Sequence, residues 1–341
     1  MPYIRMIALI FISLLSFSLH SQSVKIGSID IYGNRNISSG TILQSANISE
    51  GDSISRILLL NKVIEKNIGK IAGIKLAKTV LICCDVNGNY HLFIGVAESD
   101  STILFLREAP KLRIILPEKY TNAYKQFHER LSDAIQAGKS DEDWSQGHSL
   151  IHYPPARKIQ EKYGYWAEKD FAMLSKVLRS SAYAEQRATA AQIIAYHPDK
   201  TKALPELMHA IIDESDEVRN IVNRAIAVIA YYSTEHPEKR INIPYLPFIR
   251  LINSVVWSDR NKGLSVLLQL TKSRDTVLLN KLKEISLPAL KEMAVWKSET
   301  YARPAYIILG RISGIPEDQI FKSAAGTNFA DEAMKLANSI K

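Results

Sequence analysis

The stretch Ala203–Tyr231, ALPELMHAIIDESDEVRNIVNRAIAVIAY, constrains the fold more than any other part of this chain, because it reads as two apolar-striped helices joined by a short acidic turn. Leu204, Leu207, Ile211 and Ile212 make one stripe; Val218, Ile221, Val222, Ala225, Ile226 and Ile229 make the next. Ser215 is placed to cap the second helix, with Asp216 and Glu217 in its first turn, where carboxylates suit the positive end of the helix dipole. A helical hairpin this short cannot bury both stripes by itself. It needs neighbours of its own kind, which is the physics of a helical solenoid.

Such neighbours recur from Ala167 onward. Phe171, Leu174 and Leu178 stripe a helix whose partner is EQRATAAQIIAY. After the unit already described, Leu246, Ile249, Ile252, Val255 and Val256 precede DRNKGLSVLLQL, and Leu279, Leu282, Leu290 and Met293 precede YARPAYIILGRI. An arginine falls near the start of each second helix: Arg187, Arg219, Arg260 and Arg303, at separations of 32, 41 and 43 residues. Trp257 and Trp296 are expected to end the first helices of the third and fourth units and to pack in the core or between repeats. Phe329 to Ile340 reads as a terminal capping helix. These units, DESDEVRNIVNRA above all, resemble HEAT-like repeats over residues 166–341, although the first and fourth lack the acidic turn in that form. The resemblance implies that Asp213 of the turn and Arg219 of the second helix tie adjacent repeats together, with Arg187, Arg260 and Arg303 in the equivalent place. It also implies a surface for binding protein.

The front of the chain reads differently. Residues 1–22 hold Arg5, an apolar run from Met6 and then small polar residues, the order of a secretory signal peptide; the run is shorter than the roughly 20 residues a spanning helix needs. Between 24 and 98 strands alternate with helices. Val24, Ile26, Ile29 and Ile31 make a strand that ends at Gly33-Asn34, and Ser38 and Ser39 are placed to cap a short helix through Ile42 and Leu43. Gly51-Asp52 breaks that helix, and a second is expected from Ser53 or Ser55, with Ile57, Leu58, Val63 and Ile64 on its apolar side. KTVLICCDVNGNYHLFIGVAES then reads as a hairpin about Asn87-Gly88. An antiparallel or mixed three-stranded sheet with two helices on one face buries these stripes. The opening IDIYGNRNIS, the Gly51-Asp52 break and the closing Val96-Ala97-Glu98 resemble a POTRA domain, a small module of cell-envelope proteins. That likeness implies polypeptide binding, including strand addition at the sheet edge.

The fold class expected is therefore a small β-α-α-β-β domain followed by an α-solenoid of HEAT-like hairpins. A connector over 99–165 carries a helix from Glu118 to Ala137 and a further helical start at Asp141 to Trp144. Ile29, Ile31, Leu58, Ile64, Val80, Ile82, Leu92 and Ile94 are expected to bury one another and to owe little to the solenoid.

Composition narrows the function. A formal charge of +8 spread over 341 residues without a dense basic run argues against a nucleic-acid binder and leaves only peripheral membrane contact. The two cysteines, Cys83 and Cys84, are neighbours, which excludes a disulfide framework; one is expected to be buried and the other to face outward. His148 and His152 are four apart, a spacing that shares a helix face, but no third ligand accompanies them, so no metal or cofactor is expected. The Asn36 and Asn47 sequons are read as chance. The role that follows is a non-enzymatic scaffold or adaptor, exported to the periplasm or the outer membrane, that binds an envelope protein. The alternative is an accessory or lyase-like factor with a small molecule in the solenoid groove.

Overall fold

The computed structural model describes residues 23–55, 62–101 and 104–341. The expected signal peptide, and Ile57 and Leu58 of the expected second helix, lie outside the described residues. A small sheet domain comes first and a long array of helices follows.

Strand β1 (Ser23–Tyr32) lies at the centre of a four-stranded mixed sheet with β2 (Ser53–Ser55), β3 (Ile74–Ile82) and β4 (Tyr90–Glu98), in the order β2-β1-β4-β3. β1 runs parallel to β4 and antiparallel to β2, while β3 and β4 are antiparallel. A register shift between Ile26 and Ser28 explains the apolar pattern of β1, since Val24 and Ile26 then face the same side as Ile29 and Ile31. Helices α1 (Ser39–Ala46) and α2 (Val63–Ile68) cover that side, with Ser38 Oγ capping α1 at the Thr41 N–H. Ile42, Ile64 and Ile68 close a compact core against Ile29, Leu92 and Ile94.

Several expectations are corrected here. Ser53–Ser55 is an edge strand rather than a helix start, because its backbone pairs with Ser23–Lys25. The β3–β4 connection is a loop over 83–89 rather than a two-residue turn; Asp85 organises it, its Oδ1 accepting the N–H groups of Asn87 and Asn89. Cys83 and Cys84 are both exposed and are joined to each other, since the alternation of β3 stops at Ile82 before reaching them. The largest correction concerns Val80 and Ile82, which face away from α1 and α2 and pack toward the solenoid.

The second face of the sheet is thus buried as well. Phe93 meets Trp257 and Trp296 with ring centroids 5.4 and 5.0 Å apart, and Tyr32 meets Trp296 at 5.7 Å. Tyr32 and Phe93 belong to the continuous core of the helical array rather than to the core beneath α1 and α2. The module therefore owes a good part of its burial to the solenoid, contrary to expectation. Covering one such aromatic side chain contributes about 1.5–3 kcal/mol.

The connector follows. Helix α3 (Glu118–Gln136) is held by Tyr120 Oη to Asp170 at 2.6 Å and Tyr124 Oη to Glu217 at 2.8 Å. Glu142–Asp143 is not a helix start but strand β5, paired with β6 (Leu150–Ile151), because the Gly147 turn folds the chain back. Helix α4 (Pro154–Lys169) leads into the paired helices α5 (Phe171–Ser180) and α6 (Ala184–Ile194), α7 (Lys200–Ala210) and α8 (Asp216–Glu235), α9 (Leu246–Leu251) and α10 (Trp257–Leu270), and α11 (Thr276–Ala294) and α12 (Glu299–Ile312). Ser215 Oγ caps α8. Two further helices, α13 (Glu317–Ala325), which is not among the expected elements, and α14 (Phe329–Ser339), close the array, with Ile320 against Gly310 and Phe329 against Tyr306 of α12. Trp257 begins α10 rather than ending a first helix, and Trp296 stands two residues past the end of α11; both rings pack in or against the core, as expected, and both receive the sheet.

Candidate functional site

Three buried arginines build the end of the solenoid that meets the sheet. On α6, Arg187 places Nε and Nη2 on the two oxygens of Asp213 at 2.9 and 2.7 Å, and Nη1 on Ser181 O at 2.9 Å. On α8, Arg219 repeats the fork on Asp259 at 2.9 and 3.0 Å, with Nη1 on Asp213 O at 2.8 Å. On α10, Arg260 gives Nε to Ser254 O and Nη1 to Glu292, both at 2.6 Å. In every case the backbone carbonyl is six residues before the arginine. Each planar guanidinium thus closes its own turn and grips a carboxylate of the following unit. Asp213 and Arg219 are therefore joined through the Asp213 backbone, while the Asp213 carboxylate belongs to Arg187 and also receives Arg107 of the connector.

Arg303 does not take this place. Six residues after Ser298 stands Pro304, and Arg303 instead makes an exposed pair with Glu299 on its own helix. The turn of the fourth unit is occupied by the sheet: the Lys297 N–H donates to Asp30 Oδ1 of β1 at 2.9 Å. Glu292 links the two parts, accepting from Arg260 and, at 2.7 Å, from the Gly33 N–H. Arg260 also stacks its guanidinium 4.4 Å above the Tyr32 ring.

Between the sheet and the ladder lies a cleft of about 1080 Å³. One wall is the loop after β1, which buried Glu98 shapes by accepting the N–H groups of Arg35, Asn36 and Ile37 at 2.7 to 3.0 Å. Burial pushes that carboxyl up, and the backbone donors of Ile37, Arg35 and Asn36 outweigh it, leaving its pKa below the ordinary value. The cleft is basic at its rim. Arg35, Lys62, Lys78 and Arg250 line it without a carboxylate partner among the described residues, whereas Asp259, Glu292 and Glu214 are held by Arg219, Arg260 and Arg187. Phe105, 79% exposed, stands in the same cleft. Exposed aromatic and cationic side chains together suit recognition of an acidic polypeptide segment.

The sheet edges offer less. β2 is three residues long, and the outward N–H of Thr79 on β3 is taken by Glu65 Oε1 at 2.8 Å. A side chain seated on the edge in this way blocks a pairing strand.

A second, smaller pocket of about 400 Å³ is enclosed by α3, the β5–β6 turn and helices α6, α8 and α10. His148 lines it from a turn, not a helix, and His152 is exposed elsewhere, so the two imidazoles do not share a site. Behind His148 lies Lys200, 3% exposed, whose Nζ donates to His197 O at 2.7 Å, Ala195 O at 3.2 Å and His148 Nδ1 at 3.1 Å. Gly147 makes room for it, because a Cβ there would stand 2.8 Å from Lys200 Cε and the turn holds φ at +71°. No group of three or more His, Cys, Asp or Glu side chains placed to hold a metal occurs among the described residues, and no helix there is long and apolar enough to cross a membrane.

Lys200 makes the folded state sensitive to pH. Burial lowers its pKa from 10.5 to about 7. Across that interval the unfolded chain keeps a proton that the folded chain releases, so stability rises with pH from about 7 toward 10.5. Urea denaturation at pH 7 and pH 9 is expected to show a gain on the order of 1–2 kcal/mol. Lys200→Met should flatten that slope; an equal slope in the variant would show that Lys200 is not its source.

No family model matches the chain, and no curated protein matches it. Among solved structures it is similar to a designed armadillo repeat protein, with 17% sequence identity over 58% of this chain and 98% of that chain, and a TM-score of 0.35.

Proposed function

We propose that this chain is a non-enzymatic, protein-binding scaffold of the bacterial cell envelope that holds an acidic segment of a partner in the cleft between its sheet domain and its solenoid. The observation that carries the reading is the cleft itself: Arg35, Lys62, Lys78 and Arg250, without a carboxylate partner among the described residues, stand around exposed Phe105, and of the lining carboxylates Asp259, Glu292 and Glu214 are held by arginines, which leaves Asp216 against four cations. Export belongs to the same reading and is supported by the charged, apolar and small-residue order of residues 1–22. The POTRA-like assignment is supported by two helices on one face of a sheet whose central strands β1 and β4 are parallel. The HEAT-like assignment is supported by the arginine ladder. The blocked edge of β3 turns the partner surface away from strand addition and toward the cleft.

Site-specific photocrosslinking in cells tests this. A photoreactive residue at Phe105 is expected to yield a polypeptide adduct, while one at exposed Val277, at the far end of α11 from Glu292, yields none. Arg250→Glu in the Phe105 crosslinking chain should reduce the adduct about tenfold, the loss of roughly 1.4 kcal/mol. Equal adducts from both positions, or an adduct indifferent to Arg250→Glu, would overturn the assignment of the cleft.

A further inference from the structure

The smaller pocket is lined both by hydrogen-bond donors and by hydrocarbon. Lys200 Nζ lies 3.1 Å from His148 Nδ1, and in its charged form the ammonium has no lone pair, so His148 Nδ1 accepts from it and the ring proton resides on Nε2. Burial, and secondarily the charge of Lys200, holds the imidazole neutral with a pKa of about 4. His148 is therefore a donor to the pocket it lines. Beside it Ser149 Oγ is buried and has no hydrogen-bond partner among the described residues, although its own carbonyl accepts from both Gln160 and Tyr196. A buried hydroxyl without a partner costs about 1–3 kcal/mol, and it lines the same space.

Charge points the same way. Arg224 pairs with Glu142, which leaves half-buried Lys262 as the cation of the pocket with no hydrogen bond or ion pair among the described residues. One uncompensated positive charge among the side chains that line the pocket suits a monoanion. A phosphate dianion would set a second negative charge beside Glu142. Phe127, Leu131, Ile135, Ile221 and Val228 supply the apolar side, and about 400 Å³ is the volume of a small-molecule site.

We infer that this pocket binds a single carboxylate carried on a short apolar body, with the carboxylate on Lys262 and the donors of His148 and Ser149. Two sources share that chemistry, a small aliphatic acid and the free C-terminus of a polypeptide ending in an apolar side chain. The site is separate from the cleft and stands whether or not the cleft binds a partner.

Titration calorimetry on the full chain tests it with octanoate, octanol, inorganic phosphate and an octapeptide ending in leucine, prepared with a free and with an amidated C-terminus. Saturable binding of octanoate or of the free-ended peptide is expected, with octanol, phosphate and the amidated peptide at least tenfold weaker. Octanoate alone identifies a small acid as the ligand; the free-ended peptide alone identifies a chain terminus. Lys262→Gln should weaken the carboxylate that binds by tenfold or more with the fold intact by circular dichroism, and Ser149→Ala by a smaller factor. Failure of both carboxylates to bind, octanol binding as well as octanoate, or Lys262→Gln binding unchanged would each overturn the proposal.

Discussion

Arg219→Ala is expected to lower the unfolding free energy by about 3–5 kcal/mol, the range found when a buried ion pair loses one member. The cost lies mostly in what remains. Asp259 is 1% exposed, and without the guanidinium its carboxylate keeps only the Ser254 hydroxyl at 2.8 Å. The carbonyls of Asp213 and Glu214 lose their shared donor as well. Arg219→Lys should rescue little, because one ammonium cannot reproduce a fork on Asp259 together with bonds to two carbonyls. Arg303→Ala is the control: its pair with Glu299 is exposed and four residues apart on one helix, worth about 0.3–0.5 kcal/mol, and its guanidinium 5.3 Å from the Phe329 ring adds about 0.5–1 kcal/mol. Urea denaturation of the three variants decides the matter. If Arg219→Ala costs no more than Arg303→Ala, the ladder is not what joins α8 to α10. If its stability holds while partner capture is lost, Arg219 belongs to the binding surface.

The same ladder shows how much of this chain could be read before its structure. The hairpins were legible because Val218, Val222, Ile226 and Ile229 repeat at helical spacing and all are buried. Rough position alone, near the start of each second helix, does not separate Arg303 from Arg187, Arg219 and Arg260. A sharper signal was present. Ser181 and Arg187, Asp213 and Arg219, and Ser254 and Arg260 share one interval, and Pro304 breaks it. Strand β4 also carried an unread signal, for YHLFIGVAE is apolar at consecutive positions, and a strand apolar on both faces is covered on both. In β3 Val80, Leu81 and Ile82 are apolar in succession, so alternation alone does not select the face that meets α1 and α2; Leu81 takes it, and Val80 and Ile82 face the solenoid. The cleft and the smaller pocket had no local signature at all. His148 meets Lys200 across 52 residues, and Glu142 meets Arg224 across 82, so the smaller pocket exists only once the connector has folded onto α7 and α8.

Gly95→Val should separate the two halves without unfolding either. A Cβ at Gly95 would stand 2.1 Å from Val255 O and 2.6 Å from the Tyr32 ring, inside any real contact, and one of those atoms is backbone that cannot swing aside. The sheet must lift away from the solenoid. The hydrogen bond from Tyr32 Oη to Val255 O at 3.0 Å then breaks, and Phe93 withdraws from Trp257 and Trp296. With two aromatic side chains uncovered at about 1.5–3 kcal/mol each, the interface loses roughly 3–6 kcal/mol. The opposite face is untouched, because Leu92, Ile94 and Val96 still close on Ile42, Ile64 and Ile68, and the helices of the solenoid keep their own core. Far-ultraviolet circular dichroism should therefore stay close to wild type. Tryptophan emission should shift to the red, since two of the four tryptophans lie at this contact, and protease should cut the connector between 99 and 116 more readily. Gly164→Ala, where the nearest atom to a Cβ is 3.8 Å away, should do none of this. The cleft is walled by both halves, so Gly95→Val should also abolish the Phe105 adduct while leaving carboxylate binding in the smaller pocket unchanged. An unshifted emission spectrum would mean that the sheet is not seated on Trp257 and Trp296 in solution, and loss of both binding activities together would mean that the solenoid cannot hold its shape without the sheet.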